Sequence, residues 1–319
     1  MNHIKVHENA IVVDAHSDLL SDLLYTRKNG EHSRNLTNKH LPILKSGGVN
    51  VIFVEIFSRA HPEDSLKRAL LEVGDLYEEM RENENLKLIC TKNDFKKIES
   101  DKSVNMVLSM EGFEPLGSDL TLLNVFYKLG LRSASLTWNK RNYFASGVDD
   151  VGGLSKLGIK AIKKMEELGI LVDVSHINDE GFWDIISMAT KPIIASHSNS
   201  RALYNCNRNL TDEQLRAIAK TGGVIGLNCY FTEDEPKMSL ESYMKHLEYI
   251  IKIAGEDHVG LGLDFNGYLG DVYVPGIEDA SKIPSITDEL CKRGYSEETI
   301  HKILGGNFLR VLDTVFAMN

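Results

Sequence analysis

The chain has 319 residues, 42% of them hydrophobic and 26% charged, with a net charge of -10 at pH 7. That profile fits a globular protein. It disfavours a nucleic-acid partner, which needs a clustered basic surface, and with no apolar run near the ~20 residues of a membrane helix, a membrane partner is not expected.

Eight short apolar runs recur along the chain, at residues 11–16, 50–57, 105–111, 132–137, 170–176, 192–197, 223–228 and 258–264. They are rich in Val, Ile, Leu or Ala on both faces, as strands buried in a parallel sheet are. Helical patterns lie between them. Residues 63–82 carry Leu66, Leu70, Leu71, Val73, Tyr77 and Met80 mostly at helical spacing, and residues 156–168 carry Leu157, Ile159, Ile162 and Met165 on a looser helical face. Thr211-x-x-Gln214 before Leu215 and Ile218 reads as a capping box. Ser296-Glu297-Glu298 before Ile300, Ile303 and Leu304 opens a capped final helix.

No Pro/Gly/Ser-rich linker or fixed-period repeat divides the sequence, so one domain over residues 1–319 is expected. Strands alternating with helices imply right-handed βαβ units. Eight such units predict a closed (β/α)8 TIM barrel, a fold that takes about 250 residues or more as one piece. Cys90, Cys206, Cys229 and Cys291 are scattered without a C-x-x-C pair, which fits a reduced protein. The first ten residues are polar and mixed in charge, unlike a signal peptide. A cytoplasmic location is the expectation.

In a TIM barrel the active site gathers at the carboxyl ends of the strands. Here the runs end in His16-Ser17-Asp18, Glu111, His176, His197 and Asp264. Ionisable groups at the edge of a core are costly unless paired or bound to a metal. In an extended chain His16 and Asp18 point to the same side and can grip one cation. Imidazole with carboxylate is a natural ligand set for zinc. His176 and His197, from adjacent strands, can grip a second ion, and Glu111 can bridge the two. Two ions about 3.5–4 Å apart hold a shared hydroxide and polarise a carbonyl. Asp264 completes neither ligand set and is better placed to carry a proton from water to a leaving amine. His3, His7, His32, His40, His61, His246 and His301 lack this setting and read as surface or packing histidines.

The same residues resemble the membrane (renal) dipeptidases and their bacterial relatives, a family of zinc peptidases. The carrying motifs are Val13-Asp14-Ala15-His16-Ser17-Asp18, Ser109-Met110-Glu111-Gly112, Asp173-Val174-Ser175-His176 and Ala195-Ser196-His197-Ser198-Asn199. They continue with Asn207-Arg208-Asn209-Leu210, the stretch from His258 through Asp264-Phe265, and Leu304-Gly305-Gly306-Asn307. Individually moderate, they form a specific ordered set over almost the whole chain. The resemblance implies a binuclear centre with two Zn2+ per chain. His16 and Asp18 would hold one ion, His176 and His197 the other, and Glu111 would bridge. It further implies hydrolysis of dipeptides, including those with a D-residue on the carboxyl side. Arg208 matches the arginine that holds the substrate carboxylate, a task suited to its bidentate fork. Relatives are often homodimers.

Two positions depart from the family pattern. Trp138 stands where the animal enzymes have a substrate-contacting histidine, and an indole cannot shuttle a proton near neutral pH. Asn266 stands where relatives commonly have a second Asp. Two rival readings remain. One is another barrel hydrolase acting on N-acyl amino acids or cyclic amides, with Lys140 as the candidate bridging lysine. The other is a non-catalytic metal- or ligand-binding barrel.

Overall fold

The computed structural model of the chain describes residues 2–28, 34–58, 62–98, 102–234, 236–266 and 274–316, so His32, His61 and Gly267 lie outside the described residues. Nine strands occur among these residues: β1 (Val12–Ser17), β2 (Val49–Phe57), β3 (Leu86–Leu88), β4 (Val104–Glu111), β5 (Leu131–Ser135), β6 (Leu171–Asp173), β7 (Ile194–Ala195), β8 (Val224–Leu227) and β9 (Val259–Leu261). Every ladder is parallel. The sheet runs β2-β1-β9-β8-β7-β6-β5-β4, and β2 pairs with β4 to close the ring. This is the expected (β/α)8 TIM barrel. The ninth strand, β3, is an addition that the sequence reading missed. It pairs with the first half of β4 (Leu86 with Val104, Leu88 with Met106), while β5 pairs with the second half. Its three residues, Leu-Lys-Leu, are too short to carry a periodic signal.

Two cores fill the molecule. One lies inside the ring, where Val13, Ala15, Val51, Phe53, Val107, Leu171, Ile194 and Val224 meet Phe308 from the last helix, Asn307–Val315. The other lies between the ring and the surrounding helices, among them Pro62–Glu82, Lys156–Leu168 and Leu240–Ala254. Gly260 allows this closure at the bottom, since a Cβ there would lie 2.5 Å from the Phe308 ring. The helix starts follow the sequence signals. Ser155 caps Lys156–Leu168, both halves of the Thr211/Gln214 capping box form, and Ser296 caps Glu297–His301.

Strand alternation places the functional side chains. On β2, Val51 and Phe53 point into the ring, so Glu55 and Phe57 follow them up the same inner column. On β4, Val107 leads to Ser109 and Glu111 in the same way. Lateral register puts Phe57, Glu111, Ser135 and Asp173 on one rung near the rim. β1 breaks the pattern. Its pairing with β2 shifts between Asp14 and Ser17, an irregularity that disrupts simple alternation around His16.

Candidate active site

Several strands end earlier than their apolar runs. Residues 174–176, 196–197 and 262–264 have left the ladder and turn over the rim. Buried carboxylates replace the missing ladder bonds. Asp173 Oδ1 accepts from Ser175 N and Ser196 N at 2.9 Å each, and Asp14 Oδ1 accepts from Leu263 N at 2.9 Å. His176 (φ 68°) and Asp264 (φ 65°) adopt the left-handed conformation that side chains usually avoid. Such strain, of order 1–3 kcal/mol per residue, concentrates at functional sites.

These turns bring the ligand candidates together. Glu111 Oε1 lies 2.8 Å from His176 Nε2, 3.4 Å from His197 Nε2 and 3.8 Å from His16 Nε2. His16 Nε2 is 3.9 Å from Asp18 Oδ2 and 3.5 Å from Asp264 Oδ1. The Nε2 atoms of His176 and His197 face each other at 2.9 Å. All six side chains are buried or nearly so. Thus the structure gathers all five sequence-derived ligand candidates, with Glu111 centrally placed. Asp264 stands closer to the ligand group than the sequence reading placed it, because His16, Asp18 and Asp264 form one compact set.

The donor chemistry fits divalent metal ions. Both ring nitrogens of buried His16 lack hydrogen-bond partners. Burial above all holds the imidazoles of His16, His176 and His197 well below the ordinary range, so they are neutral ligand forms. Burial, followed by repulsion from Asp18 and Asp264, pushes the Glu111 carboxyl well up. Four acids, Asp18, Glu55, Glu111 and Asp264, converge where Arg208 supplies positive charge. Such a cluster needs cations to be stable as carboxylates.

The surrounding side chains orient these groups. His197 Nδ1 meets Ser196 Oγ at 2.7 Å, and that hydroxyl donates to Asp173 Oδ2 at 2.5 Å. His176 Nδ1 meets Asn139 Oδ1 at 2.7 Å, which fixes this nitrogen as the N–H and leaves Nε2 for a ligand role. His16 Nδ1 lies 3.5 Å from Glu55 Oε1. Asn228 Nδ2 donates to Asp264 Oδ2 at 2.8 Å. The sequence reading assigned no role to Glu55, Asn139, Asp173, Ser196 or Asn228. A lone acid inside the apolar run of β2 was a usable signal for Glu55.

The cleft above this cluster has a volume of about 410 Å3, and its walls include Phe57, Trp138, Cys206, Asn207, Arg208 and Phe231. Arg208 is buried, with Nη1 donating to Ser198 Oγ at 2.8 Å and Nη2 to the His197 carbonyl at 2.6 Å. Its Nε is buried and has no hydrogen-bond partner. Trp138 stands edge-on to Phe57, with its ring centroid 6.1 Å from that of His176. Asn266 donates to Ser17 Oγ at 3.1 Å and so ties the loop after β9 to β1. Lys140 is at the surface, 3.3 Å from Asp149, away from a bridging position. The described histidines outside the cluster serve packing or surface contacts: His7 to Thr287, His40 to Asp22, and His246 to Ser200.

Comparison with known proteins agrees with this geometry. The model of the family described as membrane dipeptidase (peptidase family M19) matches residues 2–319. A Klebsiella pneumoniae protein described as an uncharacterized protein in the pqqA 5' region is 39% identical over 249 residues, covering 72% of this chain and 89% of that protein. The dipeptidase tcpJ of Claviceps purpurea is 32% identical over 216 residues, and the match covers 66% of this chain but 50% of that protein. A crystal structure of a Rhodobacter sphaeroides metallo peptidase, liganded with a phosphinate mimic of the dipeptide L-Ala-D-Ala, superposes with a TM-score of 0.89 at 28% identity, covering 97% of this chain and all of that one.

Proposed function

Because the chain belongs to the membrane dipeptidase family (peptidase family M19) and is a metal-dependent hydrolase acting on dipeptides, we propose that it is a binuclear zinc enzyme. Its substrates would include dipeptides with a D-residue at the carboxyl end. The observation that carries this reading is the convergence of three neutral imidazoles on Glu111 Oε1. His16 and Asp18 would hold one ion, His176 and His197 the other, with Glu111 shared. When bound, such a pair supplies an activated water and polarises the scissile carbonyl.

The chain's own residues do the rest. Arg208, which lines the cleft, holds the terminal carboxylate of the dipeptide and so directs cleavage to the peptide bond beside it. Asp264 accepts a proton from the attacking water and passes it to the leaving amine, held in place by Asn228. Trp138 and Phe57 form an apolar wall that excludes water and packs on the substrate. The mimic bound by the Rhodobacter sphaeroides protein supports acceptance of a carboxyl-side D-residue.

The test is zinc content per chain together with a panel of L-L and L-D dipeptides, with and without chelator. About two zinc ions per chain and chelator-sensitive cleavage of both series are expected. Hydrolysis of N-acyl amino acids in place of dipeptides would refute the reading.

A further inference from the structure

Beside the catalytic cleft lies a second cavity of about 550 Å3, walled by Ser58, Phe113, Trp138, Asn142 and Tyr143 among others. Trp138 belongs to the walls of both. We propose that this cavity receives the side chain of the dipeptide's amino-terminal residue and selects large apolar side chains, aromatic ones above all. This rests on the dipeptidase reading and on Arg208 as the carboxylate clamp.

The ring order places the two ends of the substrate. Ser58 follows β2, Phe113 follows β4, and residues 138–143 follow β5, which are the second, third and fourth strands of the closed ring. Arg208 lies in the connection after β7, the sixth strand, bonded to His197 and Ser198. Those are separate sectors of an eight-strand mouth, and the cleft that joins them is lined by Trp138, Glu111, His176 and Arg208 together. A dipeptide whose carboxylate is held at Arg208 and whose peptide bond lies at the cluster therefore directs its amino-terminal residue over Trp138. The cavity begins there. Its volume falls within the ~300–1,000 Å3 of small-molecule pockets.

The chemistry of the walls selects the side chain. Phe113, Trp138 and Tyr143 offer aromatic surface, and Tyr143 is 57% exposed at the rim. Three charged residues, Glu114, Lys140 and Arg141, also line the cavity, and the two cations are engaged elsewhere. Lys140 pairs with Asp149, and Arg141 donates to Ser146 and the Val151 carbonyl. Glu114 Oε1 accepts from Asn142 at 3.2 Å, while its Oε2, packed against Gly112, is buried without a hydrogen-bond partner and turned away from solvent. An apolar side chain entering here gains burial without displacing an ion pair.

The test compares kcat/KM for L-Phe-L-Ala, L-Lys-L-Ala and L-Ala-L-Ala in the zinc-loaded enzyme and in Ser58→Phe and Tyr143→Ala. One variant fills the cavity and the other removes rim surface, so a folding failure in one leaves the other to decide. The expected result is a Phe-over-Ala ratio of about tenfold or more in the wild type, falling about tenfold in Ser58→Phe and severalfold in Tyr143→Ala. Equal ratios in all three proteins, or a preference for the lysyl substrate, would overturn the subsite while leaving the dipeptidase reading intact. Failure to cleave any of the three would instead strike that reading.

Discussion

Asp264 differs from its neighbours in what already holds it. Its Oδ2 accepts from Asn228, its backbone is left-handed, and burial raises its carboxyl to about 6 against the pull of Arg208. An acid of that strength is a carboxylate at neutral pH and still able to pass on a proton. The isosteric Asp264→Asn removes the proposed base and keeps the shape. It should retain zinc, measured per chain, while kcat falls by about 10²–10⁴; loss of zinc would instead make Asp264 a ligand. As the proposed base works deprotonated, kcat/KM of the zinc-loaded wild type should decline on acidification, with its limb below the value of about 6 set by burial because bound cations favour the carboxylate. A companion test isolates Arg208. A charged hydrogen bond is worth about 1.5–3 kcal/mol, so the wild type should prefer a dipeptide over its carboxyl amide by about 10- to 100-fold. Arg208→Met should erase the preference, and a preference that survives would place the carboxylate elsewhere.

At the scale of elements, the helix Pro62–Glu82 holds the end of β2 in place. Buried Glu72 accepts from Phe57 N at 3.1 Å and from Arg68 Nε at 3.0 Å, and Arg68 Nε also reaches the Phe57 carbonyl at 2.9 Å. Burial, only partly offset by Arg68 and the Phe57 N–H, raises the Glu72 carboxyl from 4.5 to about 7. The folded state thus keeps this proton to higher pH than the unfolded chain does. Stability from this group is greatest below about 4.5 and declines as pH rises to about 7, by about 3 kcal/mol in all. Glu72→Gln cannot titrate, so its stability relative to wild type should rise by about that amount between pH 4.5 and 7.5 in urea unfolding. A difference independent of pH would refute the account. The same elements show what the sequence could reveal. Buried parallel strands are apolar on both faces, so eight of nine were legible, and their ends pointed to His16, Glu111, His176, His197 and Asp264. Strand lengths were not legible, because the carboxylates of Asp14 and Asp173 end the ladders early through tertiary hydrogen bonds. Nor was the irregular pairing of β1 around His16. Asn139 lies in a polar stretch, and Asn228, which closes the apolar run 223–228, is an uncharged amide; neither carries a local sign of the side chain it orients.

At the scale of the whole molecule, the ligand candidates join four strand ends, those of β1, β4, β6 and β7. The ring is closed by its own ladders, so the expected contribution of metal lies at the mouth. It opposes the repulsion stored where Asp18, Glu111 and Asp264 meet in the buried mouth. Ions that bind the folded chain alone stabilise it by about 2.7 kcal/mol for each site held at a hundred times its dissociation constant. At about 2–4 °C per kcal/mol, two such sites should raise Tm by about 10–20 °C over the chelated protein. Glu111→Gln makes the argument specific, because its effect should change sign with metal. In chelator the variant loses a buried acid crowded by Asp18 and Asp264, and should melt no lower than wild type. In zinc it loses the proposed shared ligand, and most of the rise should vanish together with both ions, whereas Asp18→Asn should forfeit only one. Scanning calorimetry of the three proteins in both conditions checks this. A Glu111→Gln protein that melts well below wild type in chelator would show that the carboxylate supports the fold by itself, and the shared-ligand role would fall.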